Sequence, residues 1–229
     1  MKLRPVVMKL SDSTLSLLKN FSTINQSILF KTGRKLRTIS VMKNILAEAT
    51  IAEELPQDFG IYDLGQFLNG MGLHQSPELD FKNDGHVVIR EGKMRSKYFF
   101  ADPNVIITPP EKPITLPSED VSFELSTDQL DKLLKAAAIY QLPDLSVVGG
   151  EGVVKVLVRD KKNDTSNDYA VVVGETEGNF VFNFKVENIK LIPGSYDVVV
   201  SQKLLSKFTC REHDLTYYIA LEPDSTNEE

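Results

Sequence analysis

Four lysines, Lys19, Lys132, Lys135 and Lys190, recur in stretches with helical periodicity, on the side facing away from the apolar residues. Lys9 and Lys185 stand close to two of these stretches. No base, nucleophile or metal-ligand cluster accompanies them, so the chemistry they suit is non-covalent. A lysine ammonium is a flexible point charge without the planar fork that reads base edges, and it is adapted to neutralising phosphates irrespective of sequence. The plain alternative is a solvated helix face. A denser group, Lys31, Arg34, Lys35 and Arg37, surrounds Gly33 and reads as a basic hairpin turn.

Other reactive side chains form no recognisable site. The glycines of "VVGGEGVV" (147–154) lack both phosphate-loop spacings and run into a strand pattern, so a hairpin turn is expected there. His74, His86 and His213 are scattered, and Cys210 with His213 is too sparse for a zinc site or a nucleophile–base pair. Asp160, Asp164 and Asp168 fall in "RDKKNDTSNDY", a solvated loop between strands. The expectation is a protein without catalysis, metal or cofactor.

The elements that must carry the lysines come twice. In "KLSDSTLSLLKNFSTINQ", Leu17, Leu18, Phe21 and Ile24 share one helical face and Lys19 lies opposite. In "LSTDQLDKLLKAAAIYQL", Ser126 and Gln129 form a capping box, and Leu130, Leu133, Leu134 and Ala137 share a face opposite Lys132 and Lys135. Leu17-Leu18-Lys19 reappears as Leu133-Leu134-Lys135. Each helix is followed by strand-like runs, "SILF", "RTISV" and "AEATIA", then "LSVVG", "VVKVLVR" and "DYAVVV". A shorter helical piece comes next in both halves, "GIYDLGQFLNGMG" and "NFKVENIKLIPG", and more strands close each half. The repeat describes a duplicated α+β unit.

Between the halves, Ala101 to Asp120 carries Pro103, Pro109, Pro110, Pro113 and Pro117, a run that extends as a connector and cannot continue a helix. The expected organisation is an N-terminal domain 1–101, a connector 102–119 and a C-terminal domain 120–229. Charge divides along the same line. Lys and Arg number 15 against 12 Asp and Glu as far as Pro117, and 11 against 20 beyond it, so the halves carry +3 and −9 of the total −6. Contact with nucleic acid therefore requires segregated charge, because an acidic protein has no general attraction to phosphate. Nothing reads as a signal peptide or a membrane span. The single cysteine fits a reducing compartment.

The segments "LLKNFSTIN" (17–25), "IYDLGQFL" (61–68), "ADPNVIITPPEKPI" (101–114), "NFVFNFKVENIKLIPGSY" (179–196) and "YYIALEPDST" (217–226) resemble, in order and spacing, the DNA polymerase sliding clamps of T-even-type tailed bacteriophages. That resemblance implies two tandem processivity-fold domains per chain, antiparallel sheets outside and helices lining a homotrimeric ring around duplex DNA. It implies as partners the phage DNA polymerase, an ATP-driven clamp loader and late-transcription factors, in the cytoplasm of the infected bacterial host, with no membrane. Lys19, Lys132, Lys135 and Lys190, with Lys9 and Lys185, become DNA-facing candidates. The proline run becomes a strap over a partner pocket, with Ile106, Ile107, Leu221 and Pro223 as candidate parts of it. Two departures follow from the residues. Family members begin near "MKLSDST", here Met8, so the first seven residues read as an extension, and 61–72 hold no Lys or Arg, so that helix supplies no cation. The competing readings are a non-catalytic phage structural or assembly protein and an enzyme with a scattered site.

Overall fold

The computed structural model describes residues 7–228. The chain divides into two compact units, Met1–Glu111 and Lys112–Glu229, with the division inside the proline-rich connector.

The first unit runs β1 (Val7–Met8), α1 (Asp12–Ile24), β2 (Ile28–Phe30), β3 (Gly33–Ile39), β4 (Ile45–Leu55), β5 (Phe59–Ile61), α2 (Leu64–Met71), β6 (Glu78–Asp80), β7 (His86–Glu91) and β8 (Met94–Phe99). β1, β6, β7 and β8 form an antiparallel sheet in that order, β3 and β4 form a hairpin, and β2 pairs with β5. Val7 lies opposite Asp80 in β6. Val7 is therefore part of a sheet, and Met1–Val6 lie outside the described residues. Helix α1 starts at Ser11, whose hydroxyl accepts the Thr14 N–H, and buries Thr14, Leu17, Leu18, Phe21 and Ile24. Helix α2 is capped by Asp63 and buries Leu64, Phe67 and Met71. The two helices pack together. At their junction the Leu64 N–H donates to the Gln26 carbonyl at 2.8 Å, and the Gln26 amide donates to Asp63 at 2.9 Å.

The second unit runs β9 (Val121–Leu125), α3 (Thr127–Tyr140), β10 (Asp144–Gly150), β11 (Val153–Arg159), β12 (Tyr169–Glu175), β13 (Asn179–Lys185), β14 (Tyr196–Ser201), β15 (Leu205–Cys210), β16 (Leu215–Ala220) and β17 (Thr226–Glu228). One antiparallel sheet has the order β12-β11-β10-β13-β17, while β16, β15, β14 and β9 lie side by side in that order. Between β10 and β11, Glu151 and Gly152 take φ of 53° and 83°. Positive φ at both central residues is the hairpin turn that matches strand twist, as the glycines there suggest. Helix α3 carries the full capping box of Ser126 and Gln129 and buries Leu130, Leu133, Ala136 and Ala137.

One expected element is absent. The stretch "NFKVENIKLIPG" is not a helix: β13 runs through Lys185, a single 3₁₀ turn covers Val186–Asn188, and no helix or strand intervenes before β14 at Tyr196. Two physical causes are visible. Phe180, Phe182 and Phe184 recur with period two and are all buried, which commits them to a strand. Only residues 186–195 then join β13 to β14, whereas 62–77 join β5 to β6 and leave room for α2. The α3 flank consequently borders an open cavity of about 370 Å³, lined by Leu130, Leu134, Leu191, Ile192 and Pro193 together with Thr127, Asp128 and Asp131.

Candidate nucleic-acid interface

The lysines separate into two groups. Lys19, Lys132 and Lys135 are exposed on helices whose opposite faces are buried in their own units. Among the described residues Lys19 has no ion-pair partner. The other two do. Lys132 Nζ sits 2.7 Å from Asp128 Oδ2, and Lys135 Nζ sits 2.6 Å from Asp131 Oδ2, each carboxylate one turn N-terminal to its lysine. Its hydrogen bond to Asp128 raises the pKa of Lys132 above the ordinary lysine value. Helix α3 therefore offers two cations to solvent and no net charge, because Asp128, Asp131, Lys132 and Lys135 are its only ionisable acids and bases apart from Tyr140.

The remaining lysines have other surroundings. Lys185 ends β13, and its Nζ lies 2.6 Å from Oδ1 of Asp144, a carboxylate only 1% exposed. A buried carboxylate must be balanced, and Lys185, with Lys161 at 3.9 Å, balances it. The hydrogen bond to Asp144 also holds the Lys185 pKa high. Lys190 is half-buried beyond the 3₁₀ turn, which corrects its placement on a helix. Lys9 follows β1 and donates to the Ser76 hydroxyl at 2.8 Å. In the basic turn, Lys31 pairs with Asp58 at 2.9 Å, Arg34 donates to the carbonyls of Ile51 and Ala52, and Arg37 lies 3.3 Å from Glu48. The backbone and hydroxyl of Thr32, with Lys31, lower the Asp58 pKa to about 2.

The candidate pocket residues belong to both units. Ile106 is buried against its own unit: a Cβ added to Gly60 would stand 2.7 Å from Ile106 Cδ1, so glycine at 60 makes room for it. Ile107 is 38% exposed. In the second unit Leu221 is buried, its N–H donating to the Leu204 carbonyl, and Pro223 is exposed in the turn before β17. A groove of about 340 Å³ in the first unit, between Leu29, Lys31, Arg37 and the connector residues Thr108, Pro109 and Glu111, did not emerge from the sequence. Arg37 ties the connector there, its Nη1 donating to the Pro110 carbonyl at 2.8 Å. At the β3–β4 turn, Val41 and Met42 are 63% and 81% exposed. An apolar pair inside a hairpin turn was the available signal.

Each unit also presents an unpaired sheet edge. β8 ends its sheet in the first unit and β12 ends its sheet in the second. The β8 edge exposes Met94 and Phe99 among Lys93, Arg95 and Lys97; the β12 edge exposes Val172 between Asp164 and Asp168 on one side and Glu175 and Glu177 on the other. None of these seven charged groups is ion-paired among the described residues. Backbone donors and acceptors left open on such edges are templates for strand addition.

No group of three His, Cys, Asp or Glu among the described residues could hold a metal ion. Cys210 is buried and burial raises its thiol pKa, opposite to the shift a nucleophile needs. Among the described residues no helix is long and apolar enough to cross a membrane.

Residues 9–108 match the family described as DNA polymerase processivity factor, and residues 122–223 match that described as gp45 sliding clamp, C terminal. The chain is 32% identical over 230 residues to the sliding clamp of Enterobacteria phage T4, covering 96% of this chain and 100% of that one. It is 31% identical over 230 residues to the sliding clamp of Escherichia phage RB69, with the same coverage. Among solved structures, proliferating cellular nuclear antigen from Entamoeba histolytica superposes with a TM-score of 0.68 at 13% identity, covering 94% of this chain and 98% of that one. The A. fulgidus PCNA bound to the C-terminal region of FEN-1 superposes with a TM-score of 0.69 at 11% identity, covering 98% and 100%.

Proposed function

The chain belongs to the sliding-clamp family of DNA polymerase processivity factors, and we propose that it works as a ring of three copies, closed head to tail. The function that goes with the family is to encircle duplex DNA and tether the replicative polymerase for processive synthesis. The physical logic is topological. A polymerase held by tight phosphate contacts would have to break them at every step, whereas a closed ring prevents dissociation and needs only weak, mobile attraction to the phosphates. On this reading Lys19, Lys132 and Lys135 face the duplex, an ATP-driven loader opens the ring in the cytoplasm of the infected bacterium, and polymerase and late-transcription factors dock by short peptides near the connector. No catalytic step is assigned to the clamp itself.

The observation that carries the trimer is the pair of unpaired edges. β8 is basic, β12 is flanked by acids, and each exposes apolar side chains, so an edge of one copy suits the other edge of the next. Such a heterologous contact must either close into a ring or grow into a filament, and two similar domains per chain let three copies close with pseudo-sixfold symmetry. Mass in solution, by sedimentation or light scattering at micromolar concentration, tests this. A trimer that dissociates on dilution fits the proposal; a persistent monomer or a dimer contradicts it.

A further inference from the structure

We propose that Asp128 and Asp131 are built-in competitors for the phosphates that Lys132 and Lys135 would bind, so that the grip of α3 on DNA is set by its own carboxylates. The inference rests on the reading that α3 faces the duplex.

The geometry places each carboxylate in hydrogen-bond contact with its lysine, at 2.7 and 2.6 Å, while all four side chains stay 55–71% exposed. A DNA phosphate can thus reach the same ammonium from solvent. Carboxylate and phosphate oxygens make the same kind of charge-assisted hydrogen bond to an ammonium. An arriving phosphate therefore exchanges one oxyanion for another, and a departing phosphate leaves no ammonium unpaired. Both effects flatten the energy profile along the duplex. The nearby negative charges also repel the backbone directly, within the Debye length of about 8 Å at physiological salt. Lys19 on α1 lacks such a competitor among the described residues, so the two units are expected to hold DNA with different strength.

The ordinary role of such pairs is to support the helix, since Asp one turn before Lys is a favourable arrangement. That role and the proposed one predict opposite results for Asp128→Asn with Asp131→Asn in the full chain. Loss of helix support alone would leave DNA binding unchanged or weaker. Loss of a competitor strengthens it: binding to a short duplex, followed by fluorescence anisotropy across a salt series, gains affinity at low salt. Its logarithmic salt slope steepens by about 0.9 for each phosphate newly held, roughly a threefold extra loss of affinity per fourfold rise in salt. The loaded ring also diffuses more slowly along DNA. The Asp→Glu pair, which keeps the competitors, stays near the parent. Unchanged slope and diffusion in the Asn variant overturn the proposal. Lys132→Glu with Lys135→Glu separates the two levels: if it weakens DNA binding while the Asn variant does nothing, only the competitor role fails, and if it too is silent, α3 does not face DNA. Should the double Asn variant lose helix content, Asp131→Asn alone carries the same test at about half the amplitude.

Discussion

Helices α1 and α3 open their units in the same way and differ in how they carry charge. Both are capped by a serine, both bury leucine on one face, and both turn lysine outward. Yet Lys19 stands without an ion-pair partner among the described residues, whereas Lys132 and Lys135 are each held by a carboxylate. Beside α1 lies a second helix, α2; beside α3 lies a cavity closed on its other side by Leu191, Ile192 and Pro193. The buried faces differ too: α1 closes its core with Phe21 and Ile24, α3 with the small Ala136 and Ala137.

The largest effect that could break this contrast comes from reversing the lysines. Lys19→Glu, Lys132→Glu and Lys135→Glu together should abolish polymerase stimulation while fold and assembly persist, because all three sites are exposed and surface changes usually shift stability by less than about 0.5 kcal/mol. Single changes to Ala should do little, since no single contact is sequence-specific. Normal processive synthesis by the triple variant would remove both helices from the DNA path.

Next in size is Lys185, which marks the difference between a lysine that serves the fold and one that serves solvent. Lys185→Ala strips the buried Asp144 carboxylate of its nearest cation. Removing one partner of a buried pair costs about 3–5 kcal/mol, and the value here should fall at the low end because Lys161 remains close. Urea unfolding measures it. A loss no larger than that of Lys132→Ala would contradict the structural role.

The smallest effect concerns the basic turn of the first unit. Asp58 has a folded pKa of about 2, below its unfolded value of about 3.9. Its contribution to stability is therefore complete above the unfolded value and is lost as pH falls from about 4 toward about 2. Asp58→Asn should reduce stability slightly at neutral pH and flatten the decline in that acid window. Thermal melting across pH 2–5 reads it, and an identical acid profile for the variant would show that the Asp58 interactions contribute nothing.

Much of this fold was legible because core periodicity is written in the residues that make it. Leu17, Leu18, Phe21 and Ile24 announced α1, Ser126 with Gln129 announced α3, and the glycines of 147–154 announced a turn. The short strands β1, β5, β6 and β17, at two or three residues each, carry too little pattern to be read. The misplaced helix at 183–194 arose where an alternating phenylalanine run met a polar segment, and the count of residues available before the next strand decided against it. Candidate site residues were legible by exposure and not by partnership. Nothing in the spacing of Lys185 shows that Asp144, forty-one positions earlier, is buried beside it. The pairing of Lys132 with Asp128 and of Lys135 with Asp131 was not read from the sequence either, although the spacing of four that permits it stands there.

The most direct measurement of the central claim is topological. The protein is loaded onto closed circular DNA by its loader and ATP, freed of excess, and the circle is then cut at one site. An encircling clamp remains bound to the closed circle through washing and is released from the linear form by sliding off the ends. Release from the closed circle at the same rate as from the linear form, or retention on both, would contradict encirclement.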